Sequence, residues 1–172
     1  MATIKKIGYG QVEPNHLSAQ RTAQIYAQLP LDAATKTAVN GVLENGMFVK
    51  YDLTNGACNL TGNGEWMLVF NEIKLYDERK QMYRDYAMIE KECVRGEMVP
   101  RVFKTNIGDI YTTNTLLGAD GDGATLVVGD VLVVDDATGL LKKGSSDDFA
   151  WEVAKVYTLA DGQDAVKIVR IK

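Results

Sequence analysis

Metal, nucleophile and carboxylate chemistry each need particular side chains at particular spacings, and this chain of 172 residues supplies few of them. Its two cysteines, Cys58 and Cys93, lie far apart, and neither belongs to a Cys-x-x-Cys pair. A zinc site would have to recruit His16, the only histidine, and carboxylates from distant segments. Two reduced thiols are expected, with a single Cys58–Cys93 bridge as the competing reading. A nucleophile triad would need the same His16, which sits in Glu13-Pro14-Asn15-His16-Leu17-Ser18, a context that suits the start of a helix or an arm and a surface or capping role. Asp120-Gly121-Asp122-Gly123 places alternate carboxylates on one side of a tight turn, as calcium loops do, but it lacks the other ligands and the closing glutamate, so a solvated turn is expected. Glu65, Glu72, Glu90, Glu92 and Glu152 could supply a glycosidase acid and nucleophile, yet no spacing singles out a pair. Gly8-Tyr9-Gly10 and Gly62-Asn63-Gly64 stand alone, with no phosphate-binding lysine or dinucleotide fingerprint. No catalytic residue, cofactor site or metal site is assigned.

Trp66, Trp151 and the eight tyrosines read as core and interface residues in preference to a sugar platform. Charge is uneven: 19 basic against 23 acidic side chains give a net −4 overall, while residues 105–165 hold eleven acids against Lys142, Lys143 and Lys155. That sign repels phosphate backbones, so no nucleic-acid partner is expected there. The longest apolar runs, Trp66–Phe70 and Val131–Val134, are strand-length and far short of the roughly 20 residues of a membrane helix, so no membrane partner is expected. The opening Met1–Lys6 is basic but leads into no apolar stretch, and the chain is expected to be made and used without secretory export.

The elements that must position these residues read as follows. Residues 1–45 lack strand alternation: Gly8, Gly10 and Pro14 keep the opening extended, Pro30 ends what precedes it, and Ser18 or Asn15 can cap a helical segment between them. In that segment Gln20, Gln24 and Gln28 recur every four residues, and Leu17, Ile25, Tyr26 and Leu29 offer apolar anchors. The choice lies between an ordinary surface helix and an arm that lies on a partner, with these seven residues as the partner-binding set. From Gly46 the pattern is strand-like: 47–52, a turn at Thr54-Asn55-Gly56, 57–60, and then 65–76 as one long strand or two meeting at a bulge. Residues 77–92 hold good helix formers and predict a helix, with a charge-rich hairpin as competitor because Tyr83, Asp85 and Ala87 alternate. Strands follow at 98–104, an edge strand because of Pro100, and at 107–115, 125–128, 131–134, 151–159 and 165–171.

Laying Gly46 on Gly129 without gaps brings Phe48-Val49-Lys50-Tyr51-Asp52 over Val131-Leu132-Val133-Val134-Asp135 and Gly56 over Gly139, with Trp66 and Trp151 two residues out of register. Two copies of one strand-turn-strand design explain this, and so do two unrelated hairpins obeying the same turn rules. The expected fold class is mainly β, a barrel or sandwich-like body over 46–172, read as one body or as two related β-units (46–76 and 105–172) around a charged insertion (77–104), behind an N-terminal arm and helix over 1–45.

Two segments carry a resemblance. Gly10–Thr22 with Gln28-Leu29-Pro30 and Gly46–Asp52 resembles small virion structural proteins of tailed bacteriophages, and Val128–Leu132 followed by Ala150–Val156 is similar to the strand grammar of phage capsid decoration proteins. The resemblance implies a non-enzymatic β-rich protein on the outside of a phage head, made in the host cytoplasm. Its implied partners are the major capsid protein and neighbouring copies of itself, as a homo-oligomer or a capsid-templated array. The expected function is therefore that of a capsid decoration or cement protein, with a head-tail connector, collar or tail component as the alternative. From another class, a carbohydrate-binding module or carboxylate-based hydrolase would use Trp66 or Trp151.

Overall fold

The computed structural model describes residues 1–18, 28–71, 73 and 76–172. The chain is mainly β, in several antiparallel sheets. One sheet has six strands in the order β12 (Leu141–Lys143), β11 (Val131–Val134), β13 (Trp151–Thr158), β14 (Asp164–Arg170), β9 (Ile110–Thr113) and β2 (Val12–His16). A second has four, in the order β5 (Ala57–Asn59), β4 (Phe48–Asp52), β6 (Met67–Val69) and β8 (Val102–Phe103). Two small ladders pair β1 (Ala2–Ile4) with β10 (Ala124–Leu126) and β3 (Val42–Glu44) with β7 (Ala87–Ile89). A short helix, α1, spans Ala33–Ala38. Its N-cap Asp32 accepts from the Thr35 N–H at 2.7 Å. Strand β8 is an edge, as Pro100 led one to expect.

The internal echo recurs in the strand pairing. The pairs Lys50↔Asn59 and Tyr51↔Cys58 of the first hairpin fall on Val133↔Lys142 and Val134↔Leu141 of the second. The third strand follows with one extra residue in the connection: Phe48↔Leu68 and Val49↔Met67 match Val131↔Glu152 and Leu132↔Trp151. Gly46 and Gly129, both with positive φ, donate to Val69 O and Val153 O, and the Val69 and Val153 N–H groups donate back to Met47 O and Asp130 O. The fourth strand agrees too, Val69↔Val102 with Val153↔Ile168. Parallel bridges Leu31↔Cys58 and Leu116↔Leu141 close the two copies at the same place. This register makes Met67, not Trp66, the counterpart of Trp151, so the two tryptophans are not equivalent.

Two expectations are corrected. Residues 77–92 are not a helix: a turn at Gln81–Tyr83 leads into β7, which pairs Met88 with Leu43. Propensity is a weak prior there, and residues 87–89 instead pair with β3. The buried Arg84 side chain fixes this segment by donating to Gln11 Oε1 and Glu13 Oε2, each at 3.0 Å. Nor do residues 1–17 form an arm. Strand β1 pairs Ala2 with Leu126 as β7 pairs Met88 with Leu43, so the chain start supplies the second unit with the strand that the first takes from its insertion. Strand β2 lines the edge of the six-stranded sheet, and Ile4, Val12 and Leu17 are buried in the core.

Both units share that core. Phe48 of the first packs on Phe149 (5.6 Å between ring centroids) and Trp151 (6.1 Å) of the second, and Tyr111 meets Trp151 edge-on at 5.0 Å. Aromatic pairs at such distances and tilts add to the burial itself.

Candidate attachment surface

Of the seven residues expected to bind a partner, Gln20, Gln24, Ile25 and Tyr26 lie outside the described residues. Leu17 is buried against Leu68, Phe70 and Phe103 and belongs to the core instead. The next residue is fixed as well: both the Ser18 N–H (2.9 Å) and its hydroxyl donate to the buried Asp109 Oδ1. At the far flank Gln28 is exposed, while Leu29 packs part-buried on the core. There the Cys58 N–H donates to Pro30 O at 2.9 Å, and the Asp32 N–H donates to Cys58 O at 3.1 Å.

An exposed apolar cluster sits elsewhere. The loop Ile7-Gly8-Tyr9 lies against the turn that starts at Gln81. Gly8 has φ +75°, and a side chain there would run into Gln81 and Asp85. The Tyr9 N–H donates to Asp85 Oδ2 at 2.8 Å, and the Ile7 N–H to Gln163 Oε1 at 2.6 Å. Ile7 (69% exposed), Tyr9, Tyr76 (74%) and Met82 (67%) face solvent, and Tyr76 stacks edge-on against Tyr83 at 5.5 Å. A polar layer fixes this loop from behind. Gln11 Nε2 donates to Asp161 Oδ2 at 2.7 Å, the Gln11 N–H donates to Asn114 Oδ1 at 2.9 Å, and Asn114 Nδ2 reaches Gln163 Oε1 at 3.2 Å. Buried and satisfied, such a network costs little and holds one geometry. Sequence reading missed the cluster because its members come from segments some 70 residues apart, joined only by tertiary contacts.

Glu72 lies outside the described residues, and several of the other residues weighed for chemistry have other employment. Trp151 is fully buried and cannot offer a sugar platform. Trp66 lines an open groove of about 760 Å³ between the units with Lys50, Glu65, Asp136, Lys142 and Arg170, but Lys50 Nζ covers its ring at 4.5 Å. Glu65 pairs with Arg170 at 2.7 Å and Glu90 with Lys36 at 3.2 Å, each held by its own cation. Asp120 lies 3.0 Å from the buried Lys6 Nζ, which also pairs with Glu44. Burial pushes the Glu44 carboxyl above its usual range, and Lys6 opposes that. Among the described residues no group of His, Cys, Asp and Glu side chains is placed to hold a metal ion.

Cys58 and Cys93 are both free, and burial pushes the Cys58 thiol up to about 11. Because the thiolate is the nucleophile, an alkylating reagent at pH 8 is expected to label Cys93 promptly and Cys58 only after denaturation. Prompt double labelling of the native protein would contradict the burial of Cys58, and fewer than two labels on the denatured, unreduced chain would restore the bridge. No protein-family model matches the chain, and neither a curated protein nor a solved structure matches it significantly.

Proposed function

We propose that this protein is a non-enzymatic virion structural protein, a decoration or cement protein that binds the outside of a tailed-bacteriophage head. The observation that carries the reading is the set of exposed apolar side chains Ile7, Tyr9, Tyr76 and Met82, the first two on a loop whose backbone N–H groups donate to Gln163 and Asp85. Exposed apolar groups on a rigid base favour a protein partner, because little entropy is lost when they are covered. Many modest contacts of this kind suffice on a shell, where repetition multiplies them. The major capsid protein is the proposed partner, with neighbouring copies of this chain beside it. A connector, collar or tail position would use the same chemistry, and copy counting in purified particles separates these places.

The direct test adds purified protein to heads that lack it. The triple substitution Ile7→Ser, Tyr76→Ser, Met82→Ser should retain the circular dichroism spectrum and lose occupancy at least about tenfold, the equivalent of 1.4 kcal/mol. Unchanged occupancy by the folded variant would remove the cluster from the attachment role. Binding to soluble glycans with no affinity for heads would replace the whole reading with a carbohydrate-binding one.

A further inference from the structure

One contact between the two units has no counterpart. In the first unit the Phe48 N–H donates to Gly139 O at 2.8 Å, so the hairpin tip of the second unit sits on the start of β4. Gly139 has φ +73°, and its Cα lies so close to Phe48 O that no side chain fits; Leu60 Cδ2 closes the other side, 3.2 Å from where a Cβ would stand. The equivalents of both partners are open. Gly56, which matches Gly139, has the same left-handed backbone (φ +61°), with no atom within 4 Å of a Cβ built there. It lies in the exposed tip that begins with Leu53, 76% exposed. Val131, which matches Phe48, is part-buried, and its O accepts from the Gly144 N–H at 3.0 Å. Outside the strand ladders, neither the Val131 N–H nor Gly56 O takes part in a backbone hydrogen bond among the described residues.

We propose that a second copy of this chain fills this gap: the tip Leu53–Gly56 of one copy docks on the start of β11 of the next, with the Val131 N–H donating to the partner's Gly56 O. The first and second units meet within the chain by a head-to-tail contact, and applying that contact once more puts a neighbour's first unit on this chain's second. Such heterologous contacts close into a ring or continue as an array. Each is small, well below the roughly 1,200 Å² of a stable free complex, so association is weak in solution and sustained where copies are held side by side. The contact stands or falls without phage particles, so its failure is distinguishable from failure of the head-binding role.

The test uses two full-length proteins in a Cys93→Ser background, one with Asn55→Cys in the tip and one with Ser145→Cys beside Gly144. Mixed under mild oxidation, they should give the 55–145 disulfide heterodimer at least tenfold in excess of either homodimer. Adding Leu53→Arg to the tip variant should abolish that excess while leaving thermal unfolding unchanged. Statistical proportions of the three dimers, or an excess that survives Leu53→Arg, would overturn the proposal.

Discussion

Deleting Met1–Pro30 is expected to abolish cooperative folding. The deletion removes β1 and β2, exposing the β10 ladder and the outer edge of β9, and takes Ile4, Val12 and Leu17 out of the core. Burial of three aliphatic side chains contributes about 5–9 kcal/mol, comparable with the whole 5–15 kcal/mol that holds a domain together. Gly10 shows how tightly this segment is built in, since a Cβ there would collide with Thr115 and with Asn45 O. Circular dichroism and urea unfolding of the truncated chain are the measurement. A single cooperative transition with the full β signal would mean that residues 1–30 are an appendage after all.

Equivalent glycines should respond unequally to the same substitution. Gly56→Ala places an L side chain in left-handed backbone with open space around it and should cost only that strain, about 1–2 kcal/mol. Gly139→Ala carries the same strain and also forces the new methyl against Phe48 O, a backbone atom that cannot swing away as a side-chain end would. Displacing packed structure costs a further 1–3 kcal/mol or so, and the Phe48 N–H to Gly139 O hydrogen bond goes with it. A loss of about 3 kcal/mol or more is expected for Gly139→Ala, read as a fall in the urea midpoint at constant m-value. Equal losses at the two sites would mean that the hairpin tip of the second unit does not bear on β4.

The strands of the body were legible because their signals are local. Short runs rich in β-branched residues at 131–134 and 165–171, and glycines at Gly56, Gly139 and Gly162 whose positive φ a turn requires, mark hairpins wherever they occur. The gapless match of Gly46 with Gly129 carried the echo, but only pairing could show its register. The register Val133↔Lys142 matches Lys50↔Asn59, so the two hairpins turn corresponding residues to the same faces. Of the expected binding residues, Leu17 read as an anchor because its neighbours in sequence are polar, and its place under Phe70 and Phe103 depends on chain more than fifty residues away.

What the sequence determined by itself was the β class, the turns and the acidic balance of residues 105–165, all properties of composition and short-range pattern. Tertiary structure decided the rest. Residues 2–4 and 12–16 became strands because β9 and β10 each had an edge to fill, and an unpaired buried backbone costs more than any local preference returns. Residues 87–89 became a strand and not a helix for the same reason, with β3 as the edge. The exposed cluster around Gly8, and the open Gly56 and Val131 groups that a neighbour can fill, depend on which segments meet in space, and no window of sequence contains both members of such a pair.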